Sequence, residues 1–225
     1  MTTDLRPPLA ATLALLQLAS PALPVGGFAY SQALEATIDD GTVHDAASAQ
    51  RWIGDALEFV LARFEAPAWL RVHEAAQAGN DDAVARWNAE LLATRETAEL
   101  RAETLQMGAS LARVFLALEL APLRLDAPTY TTAHAIACAK LGVAREEGLA
   151  AYLWAWTENQ VLVAVKTLPL GQQAGQAMLY ALHAVVQRAI GIAGSLGDDE
   201  LGTAAVGLAV RSARHETQYS RLFRS

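Results

Sequence analysis

The stretch that decides the fold runs from Asp45 to Phe64 and reads DAASAQRWIGDALEFVLARF. Its apolar side chains recur every three or four residues, the spacing that places them on one face of an α-helix. Asp45, just before the repeat, is a residue type that caps helix N-termini. The stretch therefore predicts an amphipathic helix whose core-facing stripe is Ala49, Trp52, Ile53, Ala56, Val60 and Phe64.

The same period recurs on both sides of this stretch, with glycine and proline as breaks. No run of valine and isoleucine bounded by turns suggests a strand, because Val161, Val163 and Val165 lie within an alanine-rich and tryptophan-rich helical pattern. We predict an all-α protein, a single compact domain of roughly eight to ten helices over residues 1–225. The further predicted helices lie near 68–78, 82–120 with a bend, 128–141, 145–168, 171–193 and 199–215.

Length and composition agree with one domain and exclude some partners. The 225 residues contain no linker rich in Pro, Gly or Ser, and 53% of them are apolar while only 18% are charged. That balance predicts a filled core with some apolar surface left for another subunit. A net charge of −7 argues against nucleic acid as a ligand, since phosphates require a basic face. A helical regulator of transcription is disfavoured for the same reason.

The single cysteine, Cys138, excludes an internal disulfide and a multi-cysteine metal site, which suits a reducing cytoplasm. The N-terminal residues lack the features of a secretory signal, and the most apolar window, 149–156, is too short to span a bilayer, so we expect no membrane insertion. The five histidines are scattered without close ligand spacing: His44, His73, His134, His183 and His215.

Catalytic chemistry has no positive signal in the sequence. Neither Gly26-Gly27-Phe28 nor Lys166-Thr167 forms a phosphate-binding loop, and no Gly-x-Ser-x-Gly elbow is present. The acidic pairs at 39–40, 81–82 and 198–200 fall at predicted helix ends, where carboxylates complement the backbone dipole. The sequence patterns therefore favour no reaction class, and a Ser-His-Asp arrangement stays open.

The last fifteen residues, 211–225, differ from the rest of the chain in charge. They carry four arginines against Glu216, a net charge of +3, whereas the remainder has 13 basic and 23 acidic side chains, a net charge of −10. We call residues 211–225 the tail. One hypothesis is that a partner with an acidic and apolar surface binds it; the alternative is a final helix whose Tyr219, Leu222 and Phe223 pack on the chain's own core.

Four blocks of sequence resemble the urease accessory protein UreF family in order and spacing. They are LLQLASPALPVGGFAYSQALE at 15–35, RET through QMG at 95–108, WTENQ through PLGQ at 156–172, and RHETQYSRLFRS at 214–225. Together they span nearly the whole chain. One departure is Ala33, where the family usually has glycine. Since alanine is the better former within a helix, we expect no loss of the fold there.

The resemblance implies a helical, non-enzymatic urease maturation chaperone that acts as a homodimer. It would link the UreD/UreH accessory protein and the GTPase UreG to apo-urease for GTP-dependent nickel insertion. It would bind no cofactor stably, since nickel and GTP are handled by the partner proteins. The resemblance leaves open whether nickel contacts His215 or Cys138.

The resemblance also suggests contact residues for two partners. On the GTPase side they are Tyr30, Ser31, Glu35 and Lys166. On the UreD/UreH side they are Arg214, His215, Glu216, Tyr219, Arg221, Leu222, Phe223 and Arg224. In this hypothesis Arg221 and Arg224 pair with carboxylates while Tyr219, Leu222 and Phe223 fill an apolar groove. A structural turn at 23–32 and simple dipole complementarity at Lys166 are the alternatives.

Two further groups have open interpretations. Arg95 and Glu99 are predicted to form an exposed i, i+4 pair, within a solvated mixed-charge helix face completed by Glu96, Arg101 and Glu103. Trp154 and Trp156 are interpreted as core or dimer contacts. A rival hypothesis is an all-helical small-molecule enzyme or ligand binder whose pocket is lined by the region of Trp154, Trp156, Asn159 and Gln160.

Overall fold

The computed structural model describes residues 6–120, 122–203 and 206–225. These residues form ten α-helices and no strand, which confirms the all-α prediction. Short 3-10 helices lie at Gly27–Ala29, Leu61–Arg63 and Asp198–Glu200. The helices are α1 Arg6–Leu18, α2 Leu34–Asp39, α3 Ala46–Phe59, α4 Glu65–Gln77, α5 Asp81–Ala93, α6 Ala98–Ala117, α7 Tyr130–Lys140, α8 Arg145–Thr167, α9 Gln172–Ser195 and α10 Val206–His215.

Short polar side chains fix where several of these helices begin. Asp45 accepts a hydrogen bond from the Ser48 backbone N–H while the Ser48 hydroxyl accepts one from Asp45, so the predicted cap of α3 is confirmed. Asn80, Thr97 and Thr129 accept in the same way at the starts of α5, α6 and α7. Each cap satisfies a backbone donor that the helix itself leaves unpaired.

The core is built around α7, which α4, α6 and α8 surround. All eight residues from Thr131 to Cys138 are buried. Two glycines allow the neighbouring helices to approach closely. A Cβ atom on Gly108 of α6 would lie 2.0 Å from the Pro128 carbonyl oxygen, and one on Gly148 of α8 would lie 2.7 Å from the Trp69 ring. Larger side chains at these positions would force the helices apart.

Three predicted helices are each interrupted in the structure. The helix predicted from Asp45 to Phe64 ends at Phe59 and is followed by the 3-10 turn Leu61–Arg63. The 82–120 pattern forms α5 and α6, separated at residues 94–97, where Thr97 caps the second helix. The predicted helix at 199–215 forms a 3-10 turn and then α10; residues 204 and 205 of that prediction lie outside the described residues.

The fold is retained as expected, but Ala33 does not lie in a helix, so the reasoning from helix propensity does not apply to it. It precedes α2 with φ of +68°, in the left-handed region, and it is fully buried. Alanine is disfavoured there because its Cβ approaches the backbone, whereas glycine is tolerated. The substitution of the family's usual glycine therefore carries a local conformational cost.

Within the described part of the chain, one helix, α9, has the length and the apolar composition that crossing a membrane would require. In the fold, α9 packs against α3 and α8 and buries Met178, Leu182 and Val186. Its Arg188 Nε donates to a Glu58 carboxylate oxygen 2.7 Å away. These contacts are those of a helix at the edge of a core.

Candidate protein-interaction site

The tail folds back onto the segment that joins α1 to α2. The Arg224 backbone N–H donates to the Ala29 carbonyl at 2.8 Å, and the Ser31 N–H donates to the Ser225 carbonyl at 2.9 Å. The end of the tail therefore lies beside residues 29–31. Of the alternative in which Tyr219, Leu222 and Phe223 pack on the chain's own core, this conformation fits Phe223 but not the exposed Tyr219 and Leu222.

Glu35, in the first turn of α2, holds the middle of the tail. Its buried carboxylate accepts from the backbone N–H of Leu222 at 2.7 Å and from that of Phe223 at 3.1 Å. The imidazole Nε2 of His215 lies 3.2 Å from the same carboxylate. A single acidic side chain thus contacts both the end of α10 and the irregular segment that follows it.

His215 is fully buried between two carboxylates. Its Nδ1 lies 2.7 Å from Glu99 of α6, on the side opposite Glu35. Glu99 also accepts a hydrogen bond from Arg221, so the cluster contains two acidic and two basic side chains. Each carboxylate therefore has a basic side chain within hydrogen-bond distance, which offsets part of the cost of removing it from water.

A third carboxylate, that of Glu103 on α6, contacts the last tail residue. Its two oxygens accept from the Gln32 amide at 2.5 Å and from the Ser225 hydroxyl at 2.6 Å. Gln32 in turn accepts from the Trp156 indole N–H at 2.6 Å. Burial raises the pKa of Glu103 to about 7, because these neutral donors and the more distant Arg95 only partly compensate for lost hydration.

The outer face of the tail is basic and aromatic. Phe223 is buried, and the Lys166 ammonium lies 6.0 Å from its ring centroid, whereas the Tyr219 side chain is fully exposed and Leu222 is 72% exposed. Phe28, one residue before Ala29, is also exposed. The other exposed tail residues among the predicted contacts are Arg214, Glu216, Arg221 and Arg224.

The structure brings the two predicted contact sets together in one region. From the set suggested for the GTPase, Tyr30, Ser31 and Glu35 are buried, and only Lys166 is exposed. From the set suggested for UreD/UreH, His215 and Phe223 are buried. The hypothesis that Phe223 fills a partner's groove with Tyr219 and Leu222 does not fit this conformation, because Phe223 packs in the chain's own core.

The predicted Arg95–Glu99 pair is wrong. Arg95 lies just before α6 and pairs instead with Glu65 of α4 at 2.7 Å, both side chains being 15% exposed, while Glu99 pairs with His215 and Arg221. The solvated mixed-charge face is also wrong at Glu103, which is buried. Arg95 and Glu103 point inwards because partners distant in sequence meet them there, whereas Glu96 and Arg101 are exposed as predicted.

The Glu65–Arg95 pair carries further hydrogen bonds. Tyr152 and Thr131 both donate to Glu65 Oε1. Burial alone would raise the pKa of Glu65, but the Arg95 charge and these hydrogen bonds together hold it below its usual value. Glu65 is thus a carboxylate kept ionised in the interior.

Beside this pair lies a cavity of about 110 Å³ between the α1–α2 connection, α6 and α8. Its lining includes the apolar side chains of Leu23, Met107 and Leu162. The charged residues Arg95 and Glu103 also line it. Of the four residues proposed for a small-molecule pocket, Trp156 and Asn159 line it. Trp154 instead lies against His183, and the Gln160 side chain is buried in α8.

Cys138 and two of the histidines, His73 and His134, lie in the core. Cys138 Sγ is 3.6 Å from His134 Nδ1, and His134 accepts from the Trp69 indole at 3.2 Å. Burial raises the pKa of Cys138 to about 12 and lowers that of His134 to about 3, so both are neutral near pH 7. Among the described residues, no group of three or more His, Cys, Asp or Glu is arranged to hold a metal ion.

Fold and site together define an all-α protein with an ordered, basic and aromatic tail displayed on its surface. The chain belongs to the UreF family, whose model matches residues 43–183. It is 53% identical over 222 residues to the urease accessory protein UreF of Ralstonia pickettii strain 12J, a match covering 94% of this chain and 96% of that protein.

Two further relatives show the same extent of similarity. The urease accessory protein UreF of Azoarcus sp. strain BH72 is 50% identical over 220 residues, 94% of each chain. The bifunctional urease accessory protein UreEF of Bordetella bronchiseptica is 52% identical over 225 residues, which cover 94% of this chain and 51% of that longer protein. This chain is therefore a urease accessory protein by family.

Proposed function

We propose that the chain is a non-catalytic scaffold in urease maturation, linking UreD/UreH and the GTPase UreG to apo-urease for GTP-dependent nickel insertion. The observation that carries the proposal is the exposed face of the tail. A fully exposed tyrosine and a largely exposed leucine, held beside arginines on an ordered segment, suit a partner with an acidic rim and an apolar centre.

The assignment of partners follows the exposed side chains. UreD/UreH binds the face made by Tyr219, Leu222 and Arg224, with Arg214, Glu216 and Arg221 at its rim. UreG approaches Lys166, at the last turn of α8. The buried residues Tyr30, Ser31, Glu35, His215 and Phe223 support this face from inside.

The scaffold itself carries out neither the nickel chemistry nor the GTP chemistry of urease maturation. Nickel and GTP are handled by the partner proteins, and the chain works in the cytoplasm without binding nucleic acid or membrane. It acts as a homodimer, and α1 has exposed apolar side chains available for a protein contact at Leu9, Leu13 and Leu16. The longer Bordetella relative makes UreE a further partner to include in reconstitution.

The test is size-exclusion chromatography with light scattering, using the full chain with UreD/UreH, and then with UreG, GTP and nickel. Leu222→Ala and Tyr219→Ala should each weaken UreD/UreH binding about tenfold or more, because exposed anchors become buried in the complex. Tyr180→Ala is the matched control, since Tyr180 is 77% exposed on α9. Phe223→Ala is unsuitable because it would damage the core.

Unchanged retention of UreD/UreH by the Leu222→Ala, Tyr219→Ala double variant would contradict the assignment of the tail face. Lys166→Ala should leave the UreD/UreH complex intact and reduce GTP-dependent urease activation. Wild-type activation by that variant would assign Lys166 to the helix dipole instead.

A second candidate function, small-molecule binding, is favoured by the cavity beside Arg95 and Glu103. Its apolar walls and convergent polar groups are typical of ligand sites. A thermal-shift screen against metabolites separates the two functions, because a ligand of the folded state raises the melting temperature by mass action. Stabilisation by a metabolite but not by UreD/UreH would favour the cavity as the functional site.

A further inference from the structure

We propose that Glu35 is a positioning residue that holds the tail in its partner-binding conformation and does not itself contact a partner. The proposal rests on the function proposed above, because it explains how the tail face is presented. Its basis is the arrangement of three tail groups around one carboxylate: two backbone N–H groups and one imidazole.

The backbone donors that Glu35 contacts support this role. The Leu222 and Phe223 amides belong to a segment without helical hydrogen bonds, so they need an acceptor from elsewhere. Glu35 supplies both of its oxygens, at 2.7 Å and 3.1 Å. A carboxylate that accepts from backbone amides forms stronger bonds than a neutral acceptor does.

The direction in which the Leu222 and Phe223 side chains point also supports this role for Glu35. By fixing two successive amides, Glu35 sets the orientation of the backbone at Leu222 and Phe223. Successive side chains then diverge: Phe223 enters the core at 7% exposure and Leu222 points outwards at 72%. The Arg224 and Ser225 backbone bonds to Ala29 and Ser31 hold the end of the tail, but Glu35 is the acceptor for the Leu222 and Phe223 amides themselves.

Glu35 also contacts the end of α10 through His215. Glu35 lies on one side of the His215 imidazole and Glu99 on the other, while Arg221 also bonds Glu99. These four side chains are the charged and titratable groups with described contacts inside the cluster. Removing Glu35 therefore loosens the end of α10 and the segment after it together.

Apolar burial contributes little to holding the tail, because Phe223 is its one large apolar side chain in the core. A tail attached mainly through polar contacts should detach locally without unfolding the helices. The Glu35 variants should consequently affect the tail far more than the rest of the fold.

The experiment measures amide hydrogen exchange across the full-length chain for Glu35→Ala and Glu35→Gln. Exchange at Leu222 and Phe223 should accelerate about ten- to a hundred-fold in Glu35→Ala, since two buried donors lose their acceptor. Glu35→Gln should show a smaller increase, because its amide keeps one acceptor oxygen. Exchange in α7 should stay at the wild-type rate.

Two variants serve as controls for this measurement. Glu58→Gln removes an ion-paired carboxylate between α3 and α9, away from the tail, and should leave tail exchange unchanged. Val84→Ala removes buried apolar contacts in α5 and should lower thermal stability without releasing the tail. If Glu35→Ala only destabilised the fold, it would resemble Val84→Ala, with lower thermal stability and no release of the tail.

Binding of UreD/UreH to the same proteins completes the test. We expect Glu35→Ala to bind at least tenfold more weakly with a released tail, and Leu222→Ala to bind weakly with an ordered tail. Weak binding by Glu35→Ala with wild-type tail exchange would make Glu35 a contact residue and overturn the proposal. A released tail with undiminished binding would overturn it as well.

Failure of the proposed function has a different outcome. If the wild-type chain does not bind UreD/UreH, the scaffold assignment fails. The exchange data then decide alone whether Glu35 holds the tail: protection of Leu222 and Phe223 that does not change in Glu35→Ala rejects that role.

Discussion

Replacing Glu103 by glutamine should remove a pH-dependent loss of stability that the buried carboxyl imposes on the fold. Glu103 is 4% exposed and accepts hydrogen bonds from Gln32 and Ser225. Its pKa rises to about 7 from an ordinary value of 4.5, chiefly through burial. Glutamine resembles the protonated acid in shape and charge, so it should keep the Gln32 bond and donate to Ser225.

The direction of the effect follows from which state holds the proton more tightly. Between pH 4.5 and about 7, the folded chain keeps the Glu103 proton and the unfolded chain releases it. The free energy of unfolding therefore falls as pH rises through this window and becomes independent of this group above it. The gap in pKa corresponds to about 3 kcal/mol at pH 8 and about 1 kcal/mol at pH 5.

The assay is urea unfolding of wild type and Glu103→Gln at pH 5 and pH 8. The advantage of the variant should grow by about 2 kcal/mol between the two pH values. The buried His73 and His134, whose pKa values are lowered mainly by burial, destabilise the fold as pH falls, but they are common to both proteins and cancel in the difference. An identical difference at both pH values would refute the assignment.

Three further predictions test the packing. Ala33→Gly should stabilise the chain by about 0.5 kcal/mol in urea unfolding, because relief at φ +68° exceeds the loss of one buried methyl group; a loss of stability would contradict this. Gly108→Ala should cost about 3 kcal/mol, since its Cβ would meet a carbonyl oxygen 2.0 Å away, whereas Gly191→Ala in open space should gain about 1 kcal/mol. Arg95→Ala should cost about 3–5 kcal/mol by leaving Glu65 buried without its counter-charge, and a calorimetric loss below 1 kcal/mol would show that water replaces the guanidinium.

The sequence predicted the helices well because helix formation is encoded locally. The apolar period and the cap at Asp45 depend on neighbours within four residues, and both were found in the structure. The interruption at 94–97 was predicted only as a bend. Its cause is Thr97, a cap within a stretch whose apolar period continues on either side.

The candidate site was predicted less completely because its contacts join distant residues. Glu35 meets Phe223 across 188 positions, and Arg95 meets Glu65 across 30. A charged residue is ordinarily assigned to the surface, and only a distant partner makes its burial favourable. Nothing local to Arg95 distinguishes Glu65 from Glu99 as that partner.

Glu103 did carry a signal in the sequence. It falls between Leu100 and Met107 at spacings of three and four, and Leu111 continues the same stripe. Helical geometry therefore placed it on the buried face, even though its charge suggested solvent. The period was the better guide, because a carboxyl in such a stripe can be accommodated by local donors and a raised pKa.

The polar attachment of the tail also determines how a partner can use it. The Arg221–Glu99 pair is partly exposed, so salt weakens it, whereas the His215–Glu35 contact is buried and little screened. The tail should therefore loosen first at Arg221 while His215 stays in place. A partner that offers its own carboxylate to Arg221 exchanges one ion pair for another, so rearranging the outer tail costs little free energy. Displacing His215 would instead leave the buried Glu35 carboxylate without its imidazole partner, which confines any movement on binding to the residues after α10.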